Sequence, residues 1–408
     1  MRRFNWALAF WAATAVTSAV VVADELGVRR AADLAPPVPI TAGGVPIDVE
    51  GFAAPFVGDF DEDGKNDLLV GQCQAGRLRI YRNVGTNARP KFGQFAWFTT
   101  NGGIAGVPIC CRVAFTPQLV DFDGDARTDI LTGAGFGRLY FFRRNDDGTF
   151  AEAEVLEDKH GEVQIGCRFP SRTRIPYNST VFAHDWDDDG DADLLLGCYP
   201  NCLVRNEGTR RKPVFGDALP LILDEEPIPS GLVVGPCVAD WDGDGRADLL
   251  AGRKRDIVWY RNTGKEGQPE FQNPEILVPA NDWSFGDERQ DDQPGRYHAI
   301  CVVDFNADGR LDLLLGDHSV ERIDLTEEQK ARIAEGNAKS SAMRRELRET
   351  PPGETRPERV ERFRKALREW QEYAALPMGY SQAASPLRER HGRVWFYERI
   401  ATKKTKKD

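Results

Sequence analysis

An acidic stretch of thirteen residues recurs five times along this chain, and no other feature constrains its fold as strongly. It reads DFDEDGKNDLLVG from Asp59, DFDGDARTDILTG from Asp121, DWDDDGDADLLLG from Asp185, DWDGDGRADLLAG from Asp240 and DFNADGRLDLLLG from Asp304. The starts fall 62, 64, 55 and 64 residues apart. That period exceeds the coil of a solenoid, roughly 20 to 47 residues, and suits one blade of a propeller.

Each copy offers side-chain oxygens at positions 1, 3, 5 and 9 and a main-chain carbonyl at position 7, the oxygen cage that a hard cation such as Ca²⁺ prefers. The candidate ligands are Asp59, Asp61, Asp63, Lys65 and Asp67; Asp121, Asp123, Asp125, Arg127 and Asp129; Asp185, Asp187, Asp189, Asp191 and Asp193; Asp240, Asp242, Asp244, Arg246 and Asp248; and Asp304, Asn306, Asp308, Arg310 and Asp312. Position 6 is Gly64, Gly190, Gly245 or Gly309, which allows a positive φ around the ion; the second copy has Ala126 there, so its loop is strained or differently shaped. An EF-hand is excluded, because position 12 is Val70, Thr132, Leu196, Ala251 and Leu315 where that motif needs a bidentate Glu. Short Leu/Val runs ended by glycine follow each loop, so the loop joins two buried strands. Unneutralised aspartates this close would repel strongly, which argues against an unliganded turn. Five near copies also argue against catalysis, which needs one distinctive site.

Further strands follow each loop. GRLRIYRNVG from Gly76, GRLYFFRRNDDG from Gly137, CLVRNEG from Cys202 and DIVWYRNTG from Asp256 read as half-buried strands, most ending in an Asn-x-Gly turn. Pro90 to Phe92, Pro213 to Phe215 and Pro269 to Phe271 then open an outermost strand. The fifth repeat finds its third strand only at Gly392 to Arg399, and the segment near Val38 to Val49 is expected to complete that blade and close the ring. The expected fold is therefore all-β, a β-propeller of five four-stranded blades. Phe60, Phe122, Trp186, Trp241 and Phe305 hold position 2 of every loop, and recurrence in each blade favours packing between blades over a sugar platform.

The D-x-D-x-D-G-x-x-D-L-L-x-G pattern resembles the FG-GAP/VCBS repeat, the calcium-loop propeller blade also found in integrin α-subunits, from about residue 40 to 400 apart from one insertion. The resemblance implies a Ca²⁺-stabilised propeller, with up to five ions, that binds a protein or polysaccharide without catalysis. It extends to polysaccharide lyases, so the alternative is a lyase-like enzyme working on the face opposite the loops, with Arg112, Arg168, Arg296 and His298 as first suspects.

Residues 1–23 read as a signal peptide, basic at Arg2 and Arg3, apolar after, with cleavage expected after Ala23; an uncleaved anchor is the alternative. A linker covers 24–36, the propeller 37–324, an insertion 325–378, the end of blade five 379–400 and a basic tail 401–408. The expected location is secreted, periplasmic or cell-surface, with no transmembrane segment after cleavage. In the insertion Val360, Phe363, Leu367, Trp370 and Ala374 mark one apolar helical face, and Thr326 and Thr355 are candidate N-caps, so a helical hairpin and docking surface is expected. Eight cysteines suit an oxidising compartment; a bridge from Cys73 to Cys110 or Cys111 is preferred, Cys167, Cys198 and Cys202 share the same face, and Cys237 and Cys301 are left as a bridge or buried thiols. His298, His318, His391 and Asp317 are expected on one face as a candidate transition-metal group, and His184 is expected to line the inner channel. Asn178 to Thr180 is a glycosylation sequon. The net charge of −11 becomes about −3 once Arg2 and Arg3 leave with the signal and five Ca²⁺ bind. Basic residues are scattered, so nucleic acid is not an expected partner.

Overall fold

In the computed structural model the described residues are 31, 33–108, 115–135, 137–161, 180–197, 200–223, 226–228, 235–253, 256–265, 268–280, 293–322, nine scattered positions between 327 and 365, and 388–401. They form five antiparallel blades. Blade one is Ala53–Gly58, Asp67–Gln72, Leu78–Tyr81 and Ala96–Trp97; blade two is Thr116–Val120, Asp129–Gly133, Leu139–Phe142 and Glu154–Val155. Blade three is Thr180–His184, Asp193–Gly197, Asn201–Asn206 and Phe215–Pro220; blade four is Cys237–Ala239, Asp248–Arg253, Asp256–Tyr260 and Glu275–Val278. Blade five is Arg296–Val303, Asp312–Arg322 and Arg388–Tyr397, and its outer strand is Val38–Pro39, with Val38 opposite Phe396 and Pro39 opposite Trp395. Asp48–Glu50 pairs farther along the same strand, at Arg393 to His391.

The first strands of the blades touch in a cycle, each meeting the next and the fifth meeting the first. Core lies between blades. Leu69, Ile80, Phe98 and Phe60 pack with Phe115, Phe142 and Phe150 of blade two, and Leu250 and Ile257 of blade four pack with Leu313, Trp395 and Tyr397 of blade five. The aromatic at loop position 2 reaches across each junction. Phe60 stacks on Phe150 at 5.5 Å, Phe122 on Phe215 at 6.0 Å, Trp186 lies 6.1 Å from Phe271 and Phe305 lies 6.3 Å from Phe92. At the remaining junction Arg399 lies over the Trp241 ring at 4.4 Å. These rings are core rather than platform.

The glycines that close the Leu/Val runs of the second strands do more than mark a boundary. A Cβ on Gly71 would run into the Phe115 carbonyl of blade two, one on Gly197 into Thr180 and Pro236, and one on Gly316 into the Ala53 carbonyl of blade one. Main chain from the next blade, or from the following inner strand, lies directly over them.

The expected helical hairpin falls almost wholly outside the described residues, among which the one delimited helical element is the short 3-10 turn Gln74–Gly76 of blade one. Thr355 donates its amide to Glu358 Oε2 at 2.9 Å, the backward contact of a capping box; Thr326 and the apolar face lie outside. The signal sequence also lies outside, and no helix among the described residues is long and apolar enough to cross a membrane. Cys73, Cys237 and Cys301 are buried thiols. The bridge expected from Cys73 to Cys110 or Cys111 is thus corrected, since its sulfur is not in a disulfide; Cys110, Cys111, Cys167 and Cys198 lie outside the described residues.

Candidate functional site

All five acidic loops join the first and second strands of a blade, so the propeller carries them on one face. The fold of each loop begins at position 1. Asp59 accepts the amides of Asp63 at 3.1 Å and Gly64 at 2.8 Å, one on each oxygen. Asp121, Asp185, Asp240 and Asp304 do the same for the fourth and fifth residues after them. Position 5 then accepts the amide of position 7, as Asp63 does from Lys65 at 2.9 Å. So tight a wrap demands left-handed backbone twice. Position 6 is left-handed at Gly64, Gly190, Gly245 and Gly309, and also at Ala126 with φ 68°, so the second loop is strained there; position 4 is left-handed too, at Glu62, Gly124, Asp188, Gly243 and Ala307. The second left-handed position was not read from sequence, because no single residue type marks it.

Position 9 works differently. Asp129 accepts the amide of Arg144 at 2.8 Å and that of Phe122 at 3.2 Å, tying the third strand to the start of the loop. Asp248 does so with Asn262 and Trp241, and Asp312 with Arg399 and Phe305. Asp67 and Asp193 take the amides of Asn83 and Asn206, each at 2.7 Å. Burial pushes Asp129, Asp193 and Asp312 up to about 6, and raises Asp67 and Asp248 as well.

Carboxylate oxygens converge in four loops. Asp59, Asp61 and Asp63; Asp121, Asp123 and Asp129; Asp185, Asp187 and Asp189; and Asp240, Asp242 and Asp248 each bring three carboxylate oxygens within 4.8 Å of one another. Asp304, Asp308 and Asp312 make no such group, since Asn306 stands where the others have an aspartate. The donor sets are all oxygen and suit a hard divalent cation.

Cationic side chains meet these carboxylates. An arginine at the end of the third strand pairs with position 3: Arg82 with Asp61 at 2.5 Å, and Arg143 with Asp123, Arg205 with Asp187 and Arg261 with Asp242. Blade five exchanges the charge, with Asn306 donating to Glu398. Position 7, expected only as a carbonyl, also folds its side chain back on position 5: Lys65 on Asp63 at 2.7 Å, and Arg127 on Asp125, Arg246 on Asp244 and Arg310 on Asp308. The third loop has Asp191 there instead, 7 % exposed, with Oδ1 lacking a hydrogen-bond partner. Burial and like charges raise its carboxyl. The strand-end arginines were legible only as the basic residue before Asn in YRN, LVRN and WYRN.

The other candidates lie at one end of blade five, where His318 is opposite Arg296, Asp317 opposite Tyr297 and His391 opposite Ser319, but their side chains have partners of their own. The Asp317 carboxylate is occupied by the amides of Gly295 and Arg393, both at 2.6 Å, and the indole of Trp395 at 2.8 Å. His318 stacks on Phe52 at 4.2 Å, and His391 Nδ1 lies 3.0 Å from Asp48. Among the described residues no histidine joins a group of three metal-ligating side chains; the His298 side chain, which the expected transition-metal group includes, lies outside them. His184 ends the innermost strand of blade three, two residues beyond Phe182 of the channel wall, and borders a cavity of about 500 Å³ between blades three and four with Asp185, Trp186 and Arg246. Arg296 is half-buried on the first strand of blade five, the His298 side chain is not described, and Arg112, Arg168 and Asn178 lie outside the described residues.

Solved structures similar to this chain share little sequence with it. They include an Agrocybe aegerita lectin that recognises non-reducing terminal N-acetylglucosamine, at 18% identity and TM-score 0.35, covering 70% of this chain and 73% of the lectin. A Bacillus licheniformis rhamnogalacturonan lyase aligns at 15% identity and TM-score 0.27, over 69% of this chain and 50% of the lyase. A putative oxidoreductase (glucose dehydrogenase) of Thermus thermophilus aligns at 11% identity and TM-score 0.28, over 70% of this chain and 94% of that one. No ligand or activity is carried over from them. No curated protein matches the chain. Residues 240–315, which run from the fourth acidic loop to the strand after the fifth, match the model of the FG-GAP-like repeat.

Proposed function

We propose that this chain is an exported, calcium-stabilised propeller that acts as a non-catalytic binding module for a protein or polysaccharide. The observation that carries the reading is the convergence of three carboxylate oxygens within 4.8 Å in each of four loops whose backbone is already wrapped for an ion. Near identity among the loops supports a structural role, because no loop differs from the rest in the way a single reaction centre would. Export supports it too, since calcium outside cells is plentiful enough to fill sites of modest affinity. Binding then falls to the remaining surfaces, the face opposite the loops and the insertion at 325–378.

The test is thermal unfolding of the chain from residue 24, with calcium and with chelator, alongside a count of bound ions. Four or five ions and a midpoint raised by calcium are expected, by the linkage between ligand binding and stability. A calcium-independent midpoint with no bound ion would overturn the reading. Turnover of acidic polysaccharides, lost on replacing Arg168 or His298, would replace it with the lyase-like alternative.

A further inference from the structure

Arg77 opens the third strand of blade one at the end away from the acidic loops, and its carbonyl accepts the Gln72 amide at 3.0 Å. Side chains two apart share one side of a strand, so Arg77, Arg79 and Tyr81 face blade five together, and Tyr81 joins the core of that junction. Trp97 of the outer strand stands opposite Arg79. The Arg77 guanidinium lies over the Trp97 ring at 5.4 Å, and that of Arg79 lies over the same ring at 5.4 Å and over Phe95 at 4.4 Å. Phe95 and Trp97 meet edge to face at 4.9 Å.

Two of these four side chains are committed to the fold. Arg79 is 8 % exposed, with Nε donating to Gln72 Oε1 at 2.8 Å and Nη1 to the Asp48 carbonyl at 2.9 Å. Phe95 packs on the core between blades one and five. Arg77 and Trp97 are half-buried, and Trp97 lies outside that core. Among the described residues neither the Arg77 guanidinium nor the Trp97 indole N–H meets a hydrogen-bond or ion-pair partner. The Asp48 carboxylate on the neighbouring strand is held by His391 Nδ1 at 3.0 Å. The Gly-Arg pair that opens this strand recurs in blades two and five, where Arg138 and Arg393 are only 1 % and 4 % exposed; in blade one the arginine reaches solvent.

A guanidinium with no counter-charge beside an open aromatic ring selects a ligand that joins a carboxylate to a ring rich in C–H and O–H groups. The guanidinium fork takes a carboxylate in two parallel hydrogen bonds. The electropositive C–H groups of a pyranose suit the negative face of an indole, and the indole N–H donates to a hydroxyl. An acidic peptide side chain supplies the carboxylate without the ring. We propose that Arg77 and Trp97 form a subsite for a uronate unit of an acidic polysaccharide, with Arg79 and Phe95 fixing the indole in place. The proposal rests on the reading of the chain as a non-catalytic binding module, and it names the site and the ligand class on the face opposite the loops.

Calorimetry of the intact chain with short oligomers of galacturonate, glucuronate and mannuronate, and with their methyl esters as uncharged controls, is the test. At least one acidic oligomer is expected to bind, more weakly as salt is raised. Its affinity should fall about tenfold or more in Arg77→Gln, the loss expected for a charged hydrogen-bonded pair, and fall also in Trp97→Ala and with the methyl ester. Wild-type unfolding midpoints show that the variants fold. Phenylglyoxal labelling of the unaltered chain needs no substitution: the bound oligomer should slow modification of Arg77, read by peptide mass spectrometry. Absence of uronate binding, equal affinity in Arg77→Gln, or unprotected labelling of Arg77 would overturn the proposal. A neutral glycan or an acidic peptide whose binding survives both substitutions would overturn it too, and would leave the binding-module reading standing. Calcium-independent unfolding, by contrast, removes the calcium-stabilised reading without touching the Arg77 result.

Discussion

Two kinds of backbone constraint set what single residues can be. Ala126 holds φ 68° where four loops have glycine, a conformation that costs a residue with a Cβ about 1 to 2 kcal/mol. Ala126→Gly is expected to stabilise the protein by about 0.5 to 1 kcal/mol after the added freedom of the unfolded chain is subtracted, read as a higher urea midpoint. Gly316→Ala has the opposite sign, because its Cβ would meet the Ala53 carbonyl of blade one; a loss of about 2 kcal/mol or more is expected. Asp312 supplies a pH test. Its folded value of about 6 exceeds the unfolded value of about 3.9, so its linked stability is fully present below about 4 and is lost as pH rises through about 6. In chelator, the stability gap between wild type and Asp312→Asn should therefore narrow from pH 4 to pH 7, and an unchanged gap would refute the assignment. At this scale the positions of the converging carboxylates were legible, because spacing alone identifies them. The covered glycines were not, since what covers them belongs to another strand far away in sequence.

The loop and the end of the third strand act as one element. Guanidinium and ammonium groups on positions 3 and 5 neutralise part of the charge that a cation would neutralise, so a bound ion would have to compete with these side chains for the same oxygens. The third loop competes least, having Asp191 in place of the basic residue at position 7, and is expected to hold calcium at the lowest free concentration in a stepwise chelator titration. Arg246→Gln removes the nearer of the two guanidinium partners of Asp244, leaving Arg261 at 3.9 Å, and should tighten the fourth loop about two- to fivefold, the range set by partly exposed ion pairs; calorimetry would show it. The four strands of each blade were legible from alternation and turn residues, and in blades one, three and four the turn asparagine accepts amides as expected, Asn83 taking those of Gly85 at 2.9 Å and Lys91 at 3.1 Å. The arginine pairs were not legible, because strand-end basic residues look like solvated surface until the sheet brings them over the loop.

For the whole molecule, the count of five blades followed from five repeats, and the packing of Phe60, Phe122, Trp186 and Phe305 on neighbours shows why the aromatic recurs. Each junction depends on a ring from one blade and a pocket from the next, so Phe122→Ala should cost about 3 to 5 kcal/mol and broaden the unfolding transition of blades two and three together. The pairing of Val38 and Pro39 with Phe396 and Trp395 has a temporal consequence. More than 350 residues separate these partners, so the outer strand of blade five must wait, unpaired, until synthesis has passed Phe396. Until then the exposed edge of that sheet is the nascent protein's most adhesive surface, and the rate of this single long-range meeting sets how long a newly made molecule remains prone to aggregate.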